Sequence, residues 1–305
     1  MFIHCNNTYI QLNTSTREQE IIESLENTFP RRYLPDYTVS HGDTRRPDAV
    51  IYYRVVRDDG FHPRKIVRGM VDEYYVEGPP PAPYINESPY FFLLQVLARS
   101  LAKNKLIMLT DAVSFTDRSG RTHLVLGYPH DGKSSLLAIA YNRGDEVLST
   151  ENTVVEVRGD GLYVVNGSRI LVYDPRVHAV YGIPWIEPHD KTRHGYHIID
   201  LGGFNSSPRK ISDITLIHSS YRSRGVEYEK ISGRKILKTL WHFATALLRG
   251  TDYYYPYPMY LGDEEIDEYI RRSLETVAEY YSGSFMEAFG SHIEVYEKLV
   301  GETNT

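Results

Sequence analysis

The stretch Thr122–Arg143, THLVLGYPHDGKSSLLAIAYNR, holds the pattern G-x-x-x-x-G-K-[ST] at Gly127–Ser134. An apolar, β-branched run precedes it and a helical run follows. A phosphate loop needs that order of strand, turn and helix. Glycines let the turn curve and let the backbone approach the phosphates, while the helix aims its N-terminus at the anion. The residue types assign the roles. Lys133 reaches the β- and γ-phosphates, and Ser134 offers its hydroxyl to Mg²⁺. Gly127 and Gly132 permit the curvature, Ser135 continues the cradle, and His130 and Asp131 sit at its tip. The expected cofactors are ATP (or ADP) and Mg²⁺.

Composition narrows the setting. The 305 residues are 41% hydrophobic and 24% charged, ordinary for a folded chain with a sizeable core. No apolar run is long enough to span a bilayer. The start, MFIHCNNTYIQL, has no basic segment leading into an apolar one, so no signal peptide is expected. Cys5 is the single cysteine, which excludes an internal disulfide and a cysteine metal cluster. A cytoplasmic location is the expectation. A net charge of −6 argues against nucleic acid as a partner. The small basic spots PRK (208–210) and RSRG (222–225) read as solvated turns. Three Gln among 305 residues hint at a heat-loving source.

Outward from the loop, the chain divides into an N-terminal α+β portion (1–85), a nucleotide-binding core (86–230) and a C-terminal helical portion (231–305). FIHCNNTYIQL reads as a strand or hairpin. STREQEIIESLENTF (15–29) reads as a helix capped by Ser15 or Thr16, with Ile21, Ile22, Leu25 and Phe29 on one face. AVIYYRVVR and GMVDEYYVEG read as paired strands. EGPPPAPYINESP (77–89) is a stiff connector. YFFLLQVLARSLAKN (90–104) is a buried helix starting at Ser88 and Pro89. KLIMLTDAVSF (105–115) reads as one strand, DRSG as a turn, and RTHLVLG as a second strand. DEVLSTEN carries a third strand, and TVVEVRGDGLYVVNG a hairpin. Helices are expected over about 231–249, 263–281 and 284–299, with DYYYPYPMY separating the first two.

The run LTDAVSF…GRTHLVLGYPHDGKSSLLAIAYNRGDEVLSTEN resembles the HPr kinase and phosphoenolpyruvate-carboxykinase type of P-loop protein. Members of that group carry a strand with a catalytically placed His, a turn, and a second strand leading into the loop and helix. Arg-Gly and a strand ending in paired Asp follow. Arg143-Gly144 match as they stand. The resemblance covers about 105–165 and implies an α/β fold: a P-loop kinase core with a mixed β-sheet. The paired-Asp positions fall on Thr150 and Glu151, or on Glu151 and Asn152, so one carboxylate survives. The upstream His position falls on or beside Asp111. Pro129 and His130 stand where the family has a second loop glycine. EVRGDGL (156–162) echoes the HPr kinase signature and reads here as a hairpin turn. The chain's length and its lack of that signature look like the archaeal branch that phosphorylates free L-serine with ATP.

Phosphoryl transfer to a hydroxyl needs in-line positioning, charge neutralisation and a proton acceptor. Lys133, Asp111 and Glu151 are the candidate catalytic residues, with Glu151 and Ser134 also candidates for the metal. Arg209 and Asn152 are candidate contacts for the acceptor. The first expectation is a Mg-ATP-dependent kinase acting on a small hydroxyl compound, with free L-serine the leading acceptor. Two alternatives stand beside it, an HPr kinase-like protein-serine kinase and a non-catalytic nucleotide-binding regulatory module. The oligomeric state is open, as is the choice of base between Asp111 and Glu151.

Overall fold

A computed structural model describes residues 1–14, 18–42, 45–56, 60–205, 207–250 and 259–301. The chain is a mixed α/β protein. Its first sheet is built from β1 (Phe2–Cys5), β2 (Thr8–Thr14), β3 (Thr38–Ser40), β4 (Ala49–Val55), β5 (His62–Val67) and β6 (Asp72–Gly78), in the order β3-β1-β2-β4-β6-β5. Between β2 and β3 lie the short helices α1 (Glu18–Leu25) and α2 (Thr28–Tyr33). Asn27 caps α2 by accepting the Phe29 N–H. Ile21, Leu25 and Phe29 are buried as their spacing predicts, although a break at Glu26–Asn27 puts Phe29 in the second helix. The expected cap at Ser15 or Thr16 lies outside the described residues.

One pairing expectation is corrected here. The strands in AVIYYRVVR and GMVDEYYVEG do pair, but in parallel as β4 and β6, not as a hairpin. The segment between them supplies β5, which pairs antiparallel with β6 at the sheet edge. An edge is where Pro63 is tolerated, because it has no N–H to give.

The helix α3 (Ser88–Lys103) is buried on every face from Tyr90 to Ala102. Arg99 bonds Asp72 of β6 at 2.8 Å and Asp263 at 2.7 Å, and Lys103 reaches Asp72 at 3.1 Å. Burial alone would raise the Asp72 carboxyl, but Arg99 and the Gly69 N–H hold it below the usual carboxylate range. This enclosed network fastens the first sheet to α3 and to the C-terminal segment.

The second sheet holds β7 (Ile107–Leu109), β8 (Ala112–Thr116), β9 (Thr122–Leu126), then after helix α4 (Lys133–Arg143), β10 (Glu146–Ser149), β11 (Thr153–Arg158) and β12 (Gly161–Gly167). A small sheet follows, made of β13 (Ile170–Tyr173), β14 (Asp190–Lys191) and β15 (His197–Asp200), with α5 (Arg176–Tyr181) after β13. The long strand β16 (Arg209–Ser219) returns to the second sheet, and β17 (Val226–Lys230), α6 (Arg234–Arg249), α7 (Glu264–Tyr280), β18 (Phe285–Gly290) and α8 (His292–Val300) complete the chain. The order is β10-β8-β9-β16-β12-β11-β7, and the sheet forks at β16: Arg209 and Lys210 pair with β12, while Ile214–Ser219 pair with β18.

Two further expectations change. Residues 105–115 are not one strand, because Asp111 takes the left-handed conformation (φ 50°) and separates β7 from β8. Residues 284–299 are not one helix. FMEAFG forms β18, parallel to β16, so the C-terminal portion enters the core sheet. Most of DYYYPYPMY lies outside the described residues. Among the described residues no helix is long and apolar enough to cross a membrane.

These pairings decide where a site can be. Strand β16 runs parallel to β9 and to β18, and β8 runs antiparallel to both β9 and β10. The carboxyl ends of β9, β10, β16 and β18 therefore share one edge, the edge where open α/β sheets bind ligands.

Candidate functional site

The Gly127–Ser135 loop leaves β9 at that edge and enters α4. A Cβ on Gly127 would lie 3.2 Å from Lys133 Cγ and from Asp131 Cβ, so the curve is tight there. Gly132 is left-handed (φ 89°), and a Cβ there would lie 2.5 Å from the His292 ring. His130 is also left-handed (φ 72°). It takes without glycine the backbone shape that a second glycine would supply, at a cost of about 1–2 kcal/mol.

Asp131 is a tether and not a group offered to solvent. Its carboxylate accepts the Tyr128 N–H at 2.9 Å and lies 3.2 Å from His218 Nδ1, while its carbonyl accepts the Ser219 N–H at 3.1 Å. Beyond it the main-chain N–H groups of Gly132, Lys133, Ser134 and Ser135 meet no acceptor among the described residues. A helix start leaves such donors over, and clustered in a turn they form a concavity for an anion.

Lys133 is buried. Its Nζ donates to Asp111 Oδ1 at 2.9 Å, to the Gly127 carbonyl at 2.6 Å and to the Tyr128 carbonyl at 3.1 Å. Asp111 is buried beside the loop, and its carbonyl accepts the Gly127 N–H at 3.3 Å. The next residue, Ala112, donates its N–H to the Glu151 carbonyl at 3.0 Å. Asp111 and Glu151, distant in sequence, are thus neighbours at one edge, and both are buried. Glu151 lies 3.7 Å from Arg32 of α2, so the first unit of the fold also reaches this edge.

The two candidate acceptor contacts, Asn152 and Arg209, are placed as follows by the fold. Asn152 is enclosed, with its Nδ2 on the Tyr33 carbonyl at 2.6 Å and its N–H on Ser168 Oγ at 3.0 Å. It clasps α2 to the sheet and does not face an open site. Arg209 begins β16, whereas Ser219, ten residues on, touches the loop. At about 3.3 Å per residue that separates them by roughly 33 Å. Arg209 instead bonds Glu146, at the amino end of β10.

Residues that the sequence did not single out line the other side of the loop. His218 Nε2 lies 3.3 Å from Glu287 Oε1, and Lys235 is ion-paired with Glu287. Tyr221 OH lies 3.1 Å from Ser135 Oγ, and Tyr181 OH lies 2.7 Å from His292 Nδ1. Their signal in the sequence was absent, because it depends on β16 and β18 ending side by side.

Among the described residues no group of three His, Cys, Asp or Glu side chains forms a ready metal cage. Mg²⁺ arriving with a nucleotide does not need one, since phosphate oxygens and water fill most of its octahedron. The half-buried Ser134 hydroxyl and the carboxylates of Asp111 and Glu151 are hard oxygen donors of the right kind. The leftover amides and Lys133 fit the phosphates. No protein-family model matches this chain, and no curated protein does.

Proposed function

We propose that the chain is a Mg-ATP-dependent phosphotransferase acting on the hydroxyl of a small molecule, with free L-serine the first acceptor to test. The observation that carries this reading is the cluster of unclaimed amides at Gly132–Ser135, set beside the buried pair Lys133 and Asp111. On this reading the amides cradle the terminal phosphates. Lys133 exchanges Asp111 for phosphate oxygens, where its charge offsets the charge that spreads over the transferred group. The released Asp111 carboxylate then stands beside the loop and takes the acceptor's hydroxyl proton. The acceptor oxygen bonds to the γ-phosphorus as the bond to the β-bridging oxygen breaks, leaving ADP. Ser134 and Glu151 would hold Mg²⁺, which neutralises charge on the β- and γ-oxygens. Arg32 lies 3.7 Å from Glu151 at the same sheet edge.

The test is product formation by the full chain with Mg-ATP and a panel of amino acids, polyols and sugars. A phosphorylated small molecule is expected, together with loss of about 10²–10⁴-fold in turnover for Asp111→Asn if it is the general base. ATP binding with no product from any acceptor would leave only the regulatory-module reading. Transfer of label to a protein and to no small molecule would favour the protein-kinase reading.

A further inference from the structure

The loop's edge has two sides. Asp111, Glu151 and the Lys133 ammonium lie toward β8 and β10. Toward β16 and β18 lie Tyr221 and His292, each just past a strand's carboxyl end. The transferred phosphate must face Lys133 and the carboxylates. A phosphate chain following the amides from Lys133 to Ser135 then carries its other end toward Tyr221, whose hydroxyl touches Ser135.

What waits there is a set of fixed rings. Tyr221 lies 4.6 Å from the His292 ring and 5.9 Å from Tyr181, the latter stacked. The Arg176 guanidinium lies 4.9 Å above the Tyr221 ring and is held by Asp174. Tyr181 OH accepts the His292 main-chain N–H at 3.3 Å and lies 2.7 Å from Nδ1 of the same histidine. Burial holds His292 neutral, with its pKa lowered to about 4. The main-chain and ring bonds to one hydroxyl fix His292 against Tyr181. Tyr221 is half-buried, whereas Arg176 is exposed.

We propose that Tyr221, backed by His292 and Tyr181 and covered by Arg176, is the stacking platform for the base of the nucleotide held by the loop. The inference rests on the phosphate-cradle reading of Gly127–Ser135. A ring face recognises any nucleobase, and a guanidinium over it adds a cation–π contact. The ligand class is thus a nucleoside polyphosphate, with bare polyphosphate lacking one of the two anchors.

Calorimetric titration of the full chain with Mg-ADP and with Mg-pyrophosphate tests this. Tyr221→Leu is expected to weaken ADP by about 5- to 150-fold, the range for one stacked base, and to change pyrophosphate by less than about threefold. Tyr221→Phe keeps the ring and should stay within about threefold of wild type for ADP. Arg176→Ala alters an exposed side chain and so leaves the fold intact; it should weaken ADP severalfold and spare pyrophosphate. Unchanged ADP affinity in Tyr221→Leu overturns the proposal. Equal weakening of both ligands also overturns it, because Tyr221 would then only support the loop. A wild-type chain that binds pyrophosphate but not ADP sinks this inference alone, whereas one that binds neither sinks the cradle reading as well.

Discussion

Replacing Lys133 with methionine keeps the aliphatic stem and removes the ammonium. Its side chain is 7% exposed and that of Asp111 is 8% exposed, so the pair is close to fully enclosed. Removing one member of such a pair costs about 3–5 kcal/mol when the other charge is left inside. The position at a sheet edge lets water approach after the change, so about 2–3 kcal/mol is expected for Lys133→Met. Asp111→Asn retains an oxygen for Lys133, which also keeps the Gly127 and Tyr128 carbonyls, so about 1 kcal/mol is expected. In the double variant no charge is stranded. Its loss should fall short of the sum by about 1.5 kcal/mol, a coupling typical of residues in contact. Urea unfolding followed by far-UV circular dichroism measures all three, provided the slopes agree. Additivity within about 0.5 kcal/mol would refute the reasoning, since Lys133 would not then be held by Asp111. The same cycle guards a common inference: a Lys133 variant that loses activity has to be shown to be folded first.

Other expectations are more compact. Gly132→Ala meets both a left-handed backbone and the His292 ring, so about 3 kcal/mol should be lost, and His292→Ala in the same chain should restore part of it; an unchanged melting temperature for Gly132→Ala contradicts the loop geometry. His123 is buried between Asp213 (2.9 Å) and Asp117 (3.1 Å); burial lowers its pKa, but the two carboxylates outweigh it and the pKa is raised. Its stabilising contribution is complete below the unfolded value of about 6.5 and is lost as pH rises through the raised folded value. The fall in melting temperature from about pH 6 to about pH 9 should accordingly be smaller in His123→Asn than in wild type, and equal falls would contradict it. Arg209→Ala should leave acceptor KM within about twofold, because the residue sits at the far end of β16; a tenfold or larger rise would put it back at the site.

The loop was legible because its signal is local: a strand, a spaced glycine pair and a helix read within about twenty residues. Asp111 and Glu151 were singled out through the family resemblance, and the fold brings them together through the Ala112–Glu151 hydrogen bond. The break at Asp111 was not legible, since the apolar, strand-forming runs on either side of TD read on as one strand, although Asp tolerates the left-handed conformation. That Arg209 begins β16 while Ser219 meets the loop was not legible, because a sequence does not say which end of a long strand meets the loop. The strand β18 was hidden in FMEAFG, six residues between two helices whose apolar spacing runs on either side. With β18 unseen, His292 and Glu287 could not be placed, and neither could the neighbours they share with Tyr221 and His218.

The most direct test of the cradle is a TROSY titration of ¹⁵N-labelled full-length chain with Mg-ADP, following the backbone amides. The amides of Gly132, Lys133, Ser134 and Ser135 meet no acceptor among the described residues. They are predicted to show the largest shifts, saturating together with one affinity. Saturable shifts centred elsewhere, with these four amides unmoved, would contradict the account.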